Sequence, residues 1–317
     1  MNVSKNIKIL ILAGGWSNER DISLTSGKSV YNALDNANYN VLFLDFHTND
    51  KNLLERHIKK NKISLVFNLM HGEGGEDGLV QKFLDEIGVE YIGSGCRASQ
   101  MSFDKVETKL KWMSVKLPTP VFSEFPSVTD EFIQGLVKCK KVVIKPKSSG
   151  SSVGIKLIRT DQLNLKNKGD FLNSVYEKYE KSIDINQYFI EHFVEGDEYT
   201  APIIHNKVYP IIKIETSREF YDFAAKYEDS GTNFTFPEFD QNMLEIIQKT
   251  TLSAFESLGC NGWGRVDFFL DKELNINLIE VNSIPGMTNH SLVPMSAKKN
   301  GLTYLSLIEK LISKPHG

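Results

Sequence analysis

The chain has 317 residues, of which 41% are hydrophobic and 24% are charged. This composition excludes a wholly disordered chain, and the length predicts two or three domains. The formal net charge is only −3, so charge gives no reason to expect binding to nucleic acid or to an anionic membrane. No apolar run is long enough to cross a bilayer. Three widely spaced cysteines without a CxxC pair favour free thiols in a reducing compartment, and we therefore expect a cytoplasmic protein.

Apolar runs alternate with amphipathic segments over the first 95 residues, a pattern typical of a parallel sheet with helices on its faces. The strands are predicted at residues 7–13, 41–46, 63–70 and 90–92. Helices are predicted at 17–34, with Ser17 or Asn18 as the N-cap, and at 79–87. This region is predicted to be an N-terminal α/β domain, residues 1–97.

The remainder of the chain has a different pattern. A single polar helix is predicted at 99–115, and Pro118 and Pro120 indicate a linker after it. Strands are then predicted at 141–146, 154–158, 189–193, 198–205, 208–214, 264–270 and 277–281, and they are expected to be antiparallel. Further helices are predicted at 241–258 and 302–311. The stretch 215–237 is predicted to be a long loop, a feature that is usually functional or disordered. Two further domains are predicted, at 98–187 and 188–317.

Two nucleotide-binding motifs can be excluded. The sequence GGWSNE after the first predicted strand lacks the third glycine and the acidic residue of a dinucleotide-binding fingerprint. Gly27, Lys28 and Ser29 resemble the end of a P-loop, but the glycine required five positions earlier is replaced by Ile22.

The loop HGEGGEDG, residues 71–78, is more informative. Its four glycines allow backbone amides to converge on an anion where a helix begins. His71, Glu73, Glu76 and Asp77 add titratable groups. The alternative is a strand-to-helix loop with solvated acids.

A second candidate site combines Lys145 with the loop KSSGSSV, residues 147–153. A Gly/Ser loop between two strands can supply amide and hydroxyl donors to phosphates, and a lysine at the strand base adds positive charge. Lys105 is a candidate for a second cation. Taken alone, this pattern also fits a flexible hairpin with a surface lysine.

The third candidate site lies in GWGRVDFFLD and LIEVNSIPGMT. Alternate residues of a strand share a face, so Arg265 lies beside Asp267 and Glu280 beside Asn282. If the two strands pair, Asp267, Glu280 and Asn282 converge as oxygen ligands that suit Mg²⁺ bound to ATP phosphates. Arg265 would stabilise developing negative charge. Cross-strand charge pairing on a solvent face is the alternative, but the neighbouring residues are mostly apolar and favour a cleft.

Taken together and in this order, the motifs resemble those of the D-alanine–D-alanine ligases, an ATP-grasp family. The resemblance runs from Ile9 to about Pro294, and its longest parts are HGEGGEDG, NGWGRVDFFLD and the segment 280–294. It implies a mixed α/β, three-domain ATP-grasp fold, in which an N-terminal parallel-sheet domain precedes two antiparallel-sheet domains that clamp ATP. It also implies a homodimer and ATP-dependent joining of two D-alanines for peptidoglycan precursor synthesis.

The resemblance implies roles for individual residues. For ATP, the implied residues are Lys105, Lys145, Ser152, Lys226, Glu191 and Glu198, the last two at adenine and ribose. Two Mg²⁺ ions, with Mn²⁺ as a substitute, would be held by Asp267, Glu280 and Asn282. The remaining implied residues act on the amino acids: Glu19 on the first ammonium group, His71 near the first substrate, Arg265 and the Gly286 amide as an oxyanion site, and Ser291 with the Leu292 backbone on the second carboxylate. Ser151 and Tyr227 would hydrogen-bond with Glu19 and lock a lid formed by residues 215–237.

Some positions bear on specificity. In the family, a tyrosine at the position of Tyr227 accompanies dipeptide formation, whereas phenylalanine accompanies depsipeptide formation with D-lactate. Trp16, His192 and Ile284 depart from the residues that are common in the family. Three alternatives remain: a related ligase with another second substrate, a binding protein that has lost catalysis, and a nicotinamide-dependent dehydrogenase. The complete set of charged site residues argues against the second, and the missing fingerprint argues against the third.

Overall fold

The computed structural model describes residues 7–150, 154–179, 184–216 and 231–315. It has a mixed α/β fold with three sheets. The strands are β1 Ile9–Gly14, β2 Val41–Phe46, β3 Leu65–Asn68, β4 Glu90–Tyr91, β5 Phe122–Glu124, β6 Lys141–Pro146, β7 Lys156–Arg159, β8 Tyr188–His192, β9 Gly196–Ile204, β10 Lys207–Val208, β11 Ile212–Glu215, β12 Asn233–Thr235, β13 Trp263–Asp271 and β14 Ile276–Asn282. The helices are α1 Arg20–Asn36, α2 Lys51–Asn61, α3 Leu79–Ile87, α4 Cys96–Phe103, α5 Lys105–Ser114, α6 Asp130–Leu136, α7 Lys168–Tyr179, α8 Gln241–Ser257, α9 Leu292–Lys299 and α10 Tyr304–Ile312.

The N-terminal sheet is parallel, as predicted, with the strand order β2-β1-β3-β4. All six residues of β1 are buried, because the strand lies inside the sheet with helices on both faces. Helix α1 begins at Arg20 after Glu19, which has no side-chain capping bond, so the prediction of Ser17 or Asn18 as the N-cap was wrong. The Ser17 hydroxyl instead donates to the His71 carbonyl at 2.7 Å.

The helix predicted at 99–115 is two helices, α4 and α5, separated at Asp104. The Asp104 carboxylate accepts hydrogen bonds from the amides of Val106 and Glu107 at 2.9 and 3.0 Å, which starts the second helix. The backbone of Asp104 also bridges Ser148, and the Lys105 amide donates to the Lys147 carbonyl at 2.8 Å. The break therefore places Lys105 directly beneath the Gly/Ser loop.

The central sheet is antiparallel, with the order β5-β8-β6-β7. It packs with α6 and α7 around an apolar core whose members all lie between Phe125 and Ile190. Strand β8 belongs to this sheet, so the boundary predicted at 187/188 separates β8 from its partners. We propose that the third domain begins between His192 and Gly196, where the chain passes from one sheet to the next.

The C-terminal sheet is also antiparallel, and its order is β12-β11-β9-β13-β14, with β10 paired to β9. The single strand predicted at 208–214 is two short strands, β10 and β11, and β12 lies within the stretch predicted to be a loop. Most of that stretch, residues 217–230, lies outside the described residues.

The N-terminal and C-terminal sheets share one apolar core. It joins residues of β1 and α1 to Trp263, Met287 and the apolar face of α10. Tyr39 donates to the Glu309 carboxylate at 2.7 Å across the same contact. Within the described ranges, no helix is long and apolar enough to span a membrane.

Candidate active site

Strands β13 and β14 carry the residues that connect two pockets. Their register pairs Arg265 with Asn282 and Asp267 with Glu280, so the strand pairing on which the predicted convergence depends is confirmed. Asp267 and Glu280 line the first pocket, whereas Arg265 and Asn282 line the second. Neighbouring cross-strand pairs therefore place the two pockets side by side.

The first pocket lies between the central and C-terminal sheets. It brings together six residues predicted to act on ATP or its metal: Lys105, Lys145, Glu191, Glu198, Asp267 and Glu280. The Lys105 ammonium lies 3.3 Å from Glu280 Oε2 and donates to the Ser149 carbonyl at 2.6 Å. The pocket thus has a cationic end beside the Gly/Ser loop and two acids of β13 and β14.

Glu191 is buried in this pocket between two ammonium groups. Its Oε2 lies 2.8 Å from Lys109 Nζ, and its Oε1 forms an ion pair with Lys145. Burial alone would raise the pKa of Glu191, but the charges of Lys109 and Lys145 outweigh burial and lower it. Burial opposes the charge on Lys145 as well, yet Glu191 raises the Lys145 pKa overall. The pair thus stabilises the charged forms of Glu191 and Lys145, whereas burial lowers the pKa of Lys109 although the charge of Glu191 opposes that shift.

The second pocket contains the residues predicted to act on the amino acids, together with the predicted metal ligand Asn282. The former are Glu19, His71, Arg265, Gly286, Ser291 and Leu292. Gly150 of the Gly/Ser loop closes one side, and a β-carbon on Gly150 would lie 2.0 Å from Glu19 Oε2. Ser291 Oγ accepts from the Thr288 amide at 3.0 Å just before α9 begins. The pocket therefore combines three acids, Glu19, Asp21 and Glu76, with the cation of Arg265 and several polar groups.

His71 is neutral at physiological pH. Burial, together with the charge of Arg265, lowers the pKa of His71 to about 4, although a hydrogen bond with the Ile284 backbone opposes the shift. Its Nε2 atom is buried and has no hydrogen-bond partner among the described residues. His71 lines this pocket, and a neutral imidazole there can contact a substrate without adding charge.

The backbone amides of the HGEGGEDG loop donate hydrogen bonds to acidic side chains of the same loop. Glu76 Oε2 accepts from the Gly72 amide and Asp77 Oδ2 from the Gly74 amide, each at 2.8 Å. Gly72 and Gly74 have φ values of 69° and 87°, where a side chain would be strained. The acids thus satisfy the loop amides, and the loop serves chiefly to position His71 and Glu76.

Glu76 is a buried acid beside Glu19. Burial, together with the nearby charge of Glu19, raises the pKa of Glu76 from 4.5 to about 8. The folded state therefore holds a proton that the unfolded chain releases, and stability present at low pH is lost as the pH rises from about 4.5 to 8. The linkage slope is at most about 1.4 kcal/mol per pH unit.

We expect Glu76→Gln to remove this dependence, since glutamine keeps the oxygen that accepts from Gly72 and never ionises. The thermal midpoint of the variant should gain on the wild type between pH 5 and pH 8. Glu73→Gln is the control, because Glu73 is exposed in the same loop. A constant difference between Glu76→Gln and the wild type at all pH values would contradict the prediction.

Comparison with known proteins identifies the family of this chain. The family described as D-ala D-ala ligase C-terminus matches residues 127–313. A D-alanine–D-alanine ligase of Glaesserella parasuis is 37% identical, over 97% of this chain and 98% of its own length. The chain belongs to the D-alanine–D-alanine ligase family.

Solved structures of the family share the fold. The D-alanine–D-alanine ligase of Bacillus anthracis superposes with a TM-score of 0.78 at 28% identity, covering 97% of this chain and 96% of that one. The same enzyme complexed with ATP also gives 0.78, at 26% identity and the same coverage. The VanG D-Ala:D-Ser ligase of Enterococcus faecalis gives 0.76 at 23% identity, covering 97% and 99%, and at this identity shows a shared fold alone.

The three departures from common residues of the D-alanine–D-alanine ligases have structural accounts. Ile284 is buried in the core shared by the two outer sheets, so apolar packing replaces a hydroxyl. Trp16 packs over Gly74 and lies within 3.4 Å of the Glu73 carboxylate through Nε1. The His192 ring packs against Phe132 of α6, with centroids 5.5 Å apart.

Four predicted residues, Ser151, Ser152, Lys226 and Tyr227, lie outside the described residues. One residue that lies at the site was missed, namely Lys109, which contacts Glu191. Its spacing of four from Lys105 was the available signal, because residues four apart share a helix face.

Proposed function

We propose that this chain joins two D-alanine molecules, with ATP converted to ADP and phosphate, as an ATP-dependent carboxylate–amine ligase. The observation that carries the proposal is the meeting of two differently lined pockets at the Arg265–Asn282 and Asp267–Glu280 pairs. Family membership gives the reaction class, and the two pockets give each reactant a place.

ATP is proposed to bind in the first pocket, between the central and C-terminal sheets. Lys105, Lys145 and the Gly/Ser loop with Ser152 would contact phosphates, while Glu191 and Glu198 would contact adenine and ribose. Support comes from the position of the two lysines at the loop and of Glu191 and Glu198 along the pocket wall. Lys226 would approach the phosphates from the lid.

Divalent metal fits the acids of this pocket. Asp267, Glu280 and Asn282 offer carboxylate and amide oxygens, the donors that Mg²⁺ prefers, and Asn282 lies 3.0 Å from Asp267 through its amide nitrogen. These residues would hold two Mg²⁺ ions, with Mn²⁺ as a substitute, which when bound neutralise charge on phosphate oxygens.

The amino acids are proposed to bind in the second pocket. Glu19 would accept from the ammonium group of the first D-alanine, with neutral His71 beside it. Ser291 and the Leu292 backbone would hold the second carboxylate. Helix α9 begins at Leu292, and the free amides of a helix start favour a carboxylate there.

The proposed chemistry has two steps. A carboxylate oxygen of the first D-alanine attacks the terminal phosphorus of ATP, which gives an acyl phosphate and ADP. The amine of the second D-alanine, after losing a proton, attacks the acyl carbon, and the C–O bond to phosphate breaks. Arg265 and the Gly286 amide would stabilise the oxyanion that forms when the amine adds to the acyl carbon. The chain needs no nucleophile of its own.

Because an acyl phosphate hydrolyses in water, the site needs a closure. Residues 215–237 are proposed as the lid, with Ser151 and Tyr227 hydrogen-bonded to Glu19. A tyrosine at position 227 favours an amine as the second substrate. We further propose a three-domain organisation, a homodimer and a cytoplasmic location.

The test is ADP release with ATP, Mg²⁺ and D-alanine, beside L-alanine, D-serine and D-alanine with D-lactate, followed by mass spectrometry. We expect ADP release in every mixture that contains D-alanine, none with L-alanine or D-serine by itself, and a product of the D-alanyl-D-alanine mass even when D-lactate is present. ADP release with another product would retain the ligase chemistry and overturn the second substrate. No ADP with any amino acid would overturn the catalytic proposal.

A further inference from the structure

Helix α5 presents two lysines, one turn apart, to two carboxylates of the ATP pocket. Lys105 lies 3.3 Å from Glu280 of β14, and Lys109 lies 2.8 Å from Glu191 of β8. Lys109 is completely buried and Glu191 is 2% exposed. A fully buried lysine is rare unless it is paired, so the position of Lys109 calls for a role.

Glu191 uses its two oxygens for two different cations. Lys145 contacts Oε1 and Lys109 contacts Oε2. The proposed function requires Lys145 to contact phosphates, and this movement would weaken its ion pair with Glu191. A buried carboxylate that loses its only partner is strongly destabilising, but Glu191 would still have Lys109.

Lys109 is itself held in place without Glu191. Its ammonium donates to the Thr119 hydroxyl at 2.7 Å, and that hydroxyl donates to the Leu278 carbonyl at 2.9 Å. The Leu278 amide in turn donates to the Pro118 carbonyl at 3.0 Å. Leu278 precedes Glu280 by two residues on β14, so the chain of bonds ties Lys109 to the strand that carries proposed metal ligands.

We propose that Lys109 is a positioning residue: it is the fixed counter-ion of Glu191, which frees Lys145 to bind the phosphates of ATP. This inference rests on the proposed function, because it assumes that Lys145 contacts phosphates and Glu191 contacts adenine. In this arrangement Lys109 never touches ATP. Its effect reaches the nucleotide through Glu191 and Lys145.

The test compares ATP with adenosine in the variant Lys109→Met. Without Lys109, Lys145 remains as the only counter-ion of Glu191, so binding phosphates requires breaking that pair. We expect KM for ATP to rise at least about tenfold, in line with the cost of a lost buried charge pair. The inhibition constant of adenosine, which has no phosphates, should change less than threefold. KM for D-alanine should not change.

Two further variants keep the outcome interpretable. In Lys109→Met with Glu191→Gln, no buried carboxylate needs a counter-ion, so KM for ATP should fall back to that of Glu191→Gln alone. If Lys109→Met does not fold, the double variant still tests the inference, because it has no unpaired buried carboxylate. Lys111→Met, on the same helix but outside the pocket lining, is the control and should match the wild type.

Each outcome has one reading. If ATP and adenosine weaken by the same factor in Lys109→Met, the residue merely shapes the pocket and the inference is overturned. Additive effects in the double variant would overturn it as well. If the wild type neither binds ATP nor releases ADP, the proposed function has failed, and that result is visible before any variant is made.

Discussion

Arg265→Ala is expected to lower kcat by about 10² or more, since one donor to a developing oxyanion typically contributes about 2.7 to 4 kcal/mol to the transition state. Arg265 lines the second pocket and donates to Asp267 through Nε at 3.2 Å and Nη2 at 3.0 Å. Removing the cation leaves Asp267 more available to metal, so the Mg²⁺ concentration for half-maximal activity should not rise. Steady-state kinetics at varied Mg²⁺ would separate a loss of transition-state stabilisation from a loss of metal binding.

The chain offers a matched control for this variant. Arg159 pairs with Asp161 at 2.5 Å with the same spacing of two residues, but both side chains are more than half exposed. An exposed pair contributes little to stability, and this one lies away from both pockets. Arg159→Ala should therefore keep wild-type turnover. Near-normal turnover in Arg265→Ala would remove Arg265 from the mechanism.

Gly150→Ala is expected to raise KM for D-alanine by about tenfold, which corresponds to about 1.4 kcal/mol. A β-carbon at this position would lie 2.0 Å from Glu19 Oε2 and 2.7 Å from Glu19 Cδ. Either the Glu19 carboxylate or the Gly/Ser loop must move, and overpacking of this kind typically costs about 1 to 3 kcal/mol. KM for D-alanine at saturating ATP is the measurement.

Gly135→Ala is the control for the added methyl group. Gly135 lies in α6, where the nearest neighbour of an added β-carbon is the His192 ring at 3.9 Å. That distance is an ordinary van der Waals contact, and alanine favours a helix more than glycine does. This variant should keep wild-type kinetics, and its midpoint of thermal unfolding should be at least as high as that of the wild type. Equal KM values for the two variants would show that Gly150 does not need to be small.

Much of the fold follows from local pattern. β1 could be predicted because a strand buried on both faces is a continuous apolar run. Helix α2 was missed since only Leu54 and Ile58 are buried in an otherwise polar segment. The break at Asp104 combines a local N-cap with a bridge to Ser148, more than 40 residues away in sequence, and no local pattern encodes that bridge.

The same distinction applies to the site. Strand periodicity of two places Arg265 with Asp267 and Glu280 with Asn282, and the antiparallel register then sets Asp267 opposite Glu280. The boundary predicted at 187/188 separates β8 from its partners β5 and β6, because both partners are remote from β8 in sequence. The contact of Lys109 with Glu191 also joins elements that only tertiary packing brings together.

The core shared by the first and last sheets has a consequence for synthesis of the chain. The apolar face of β1 and α1 is covered partly by α10, residues Tyr304–Ile312. Because the ribosome synthesises the chain from its N-terminus, the first sheet cannot bury this apolar face until nearly the whole polypeptide has been made. The central sheet has an apolar core of its own and does not need the C-terminal helix to bury it. Its folding can therefore finish first, although it is second in the sequence.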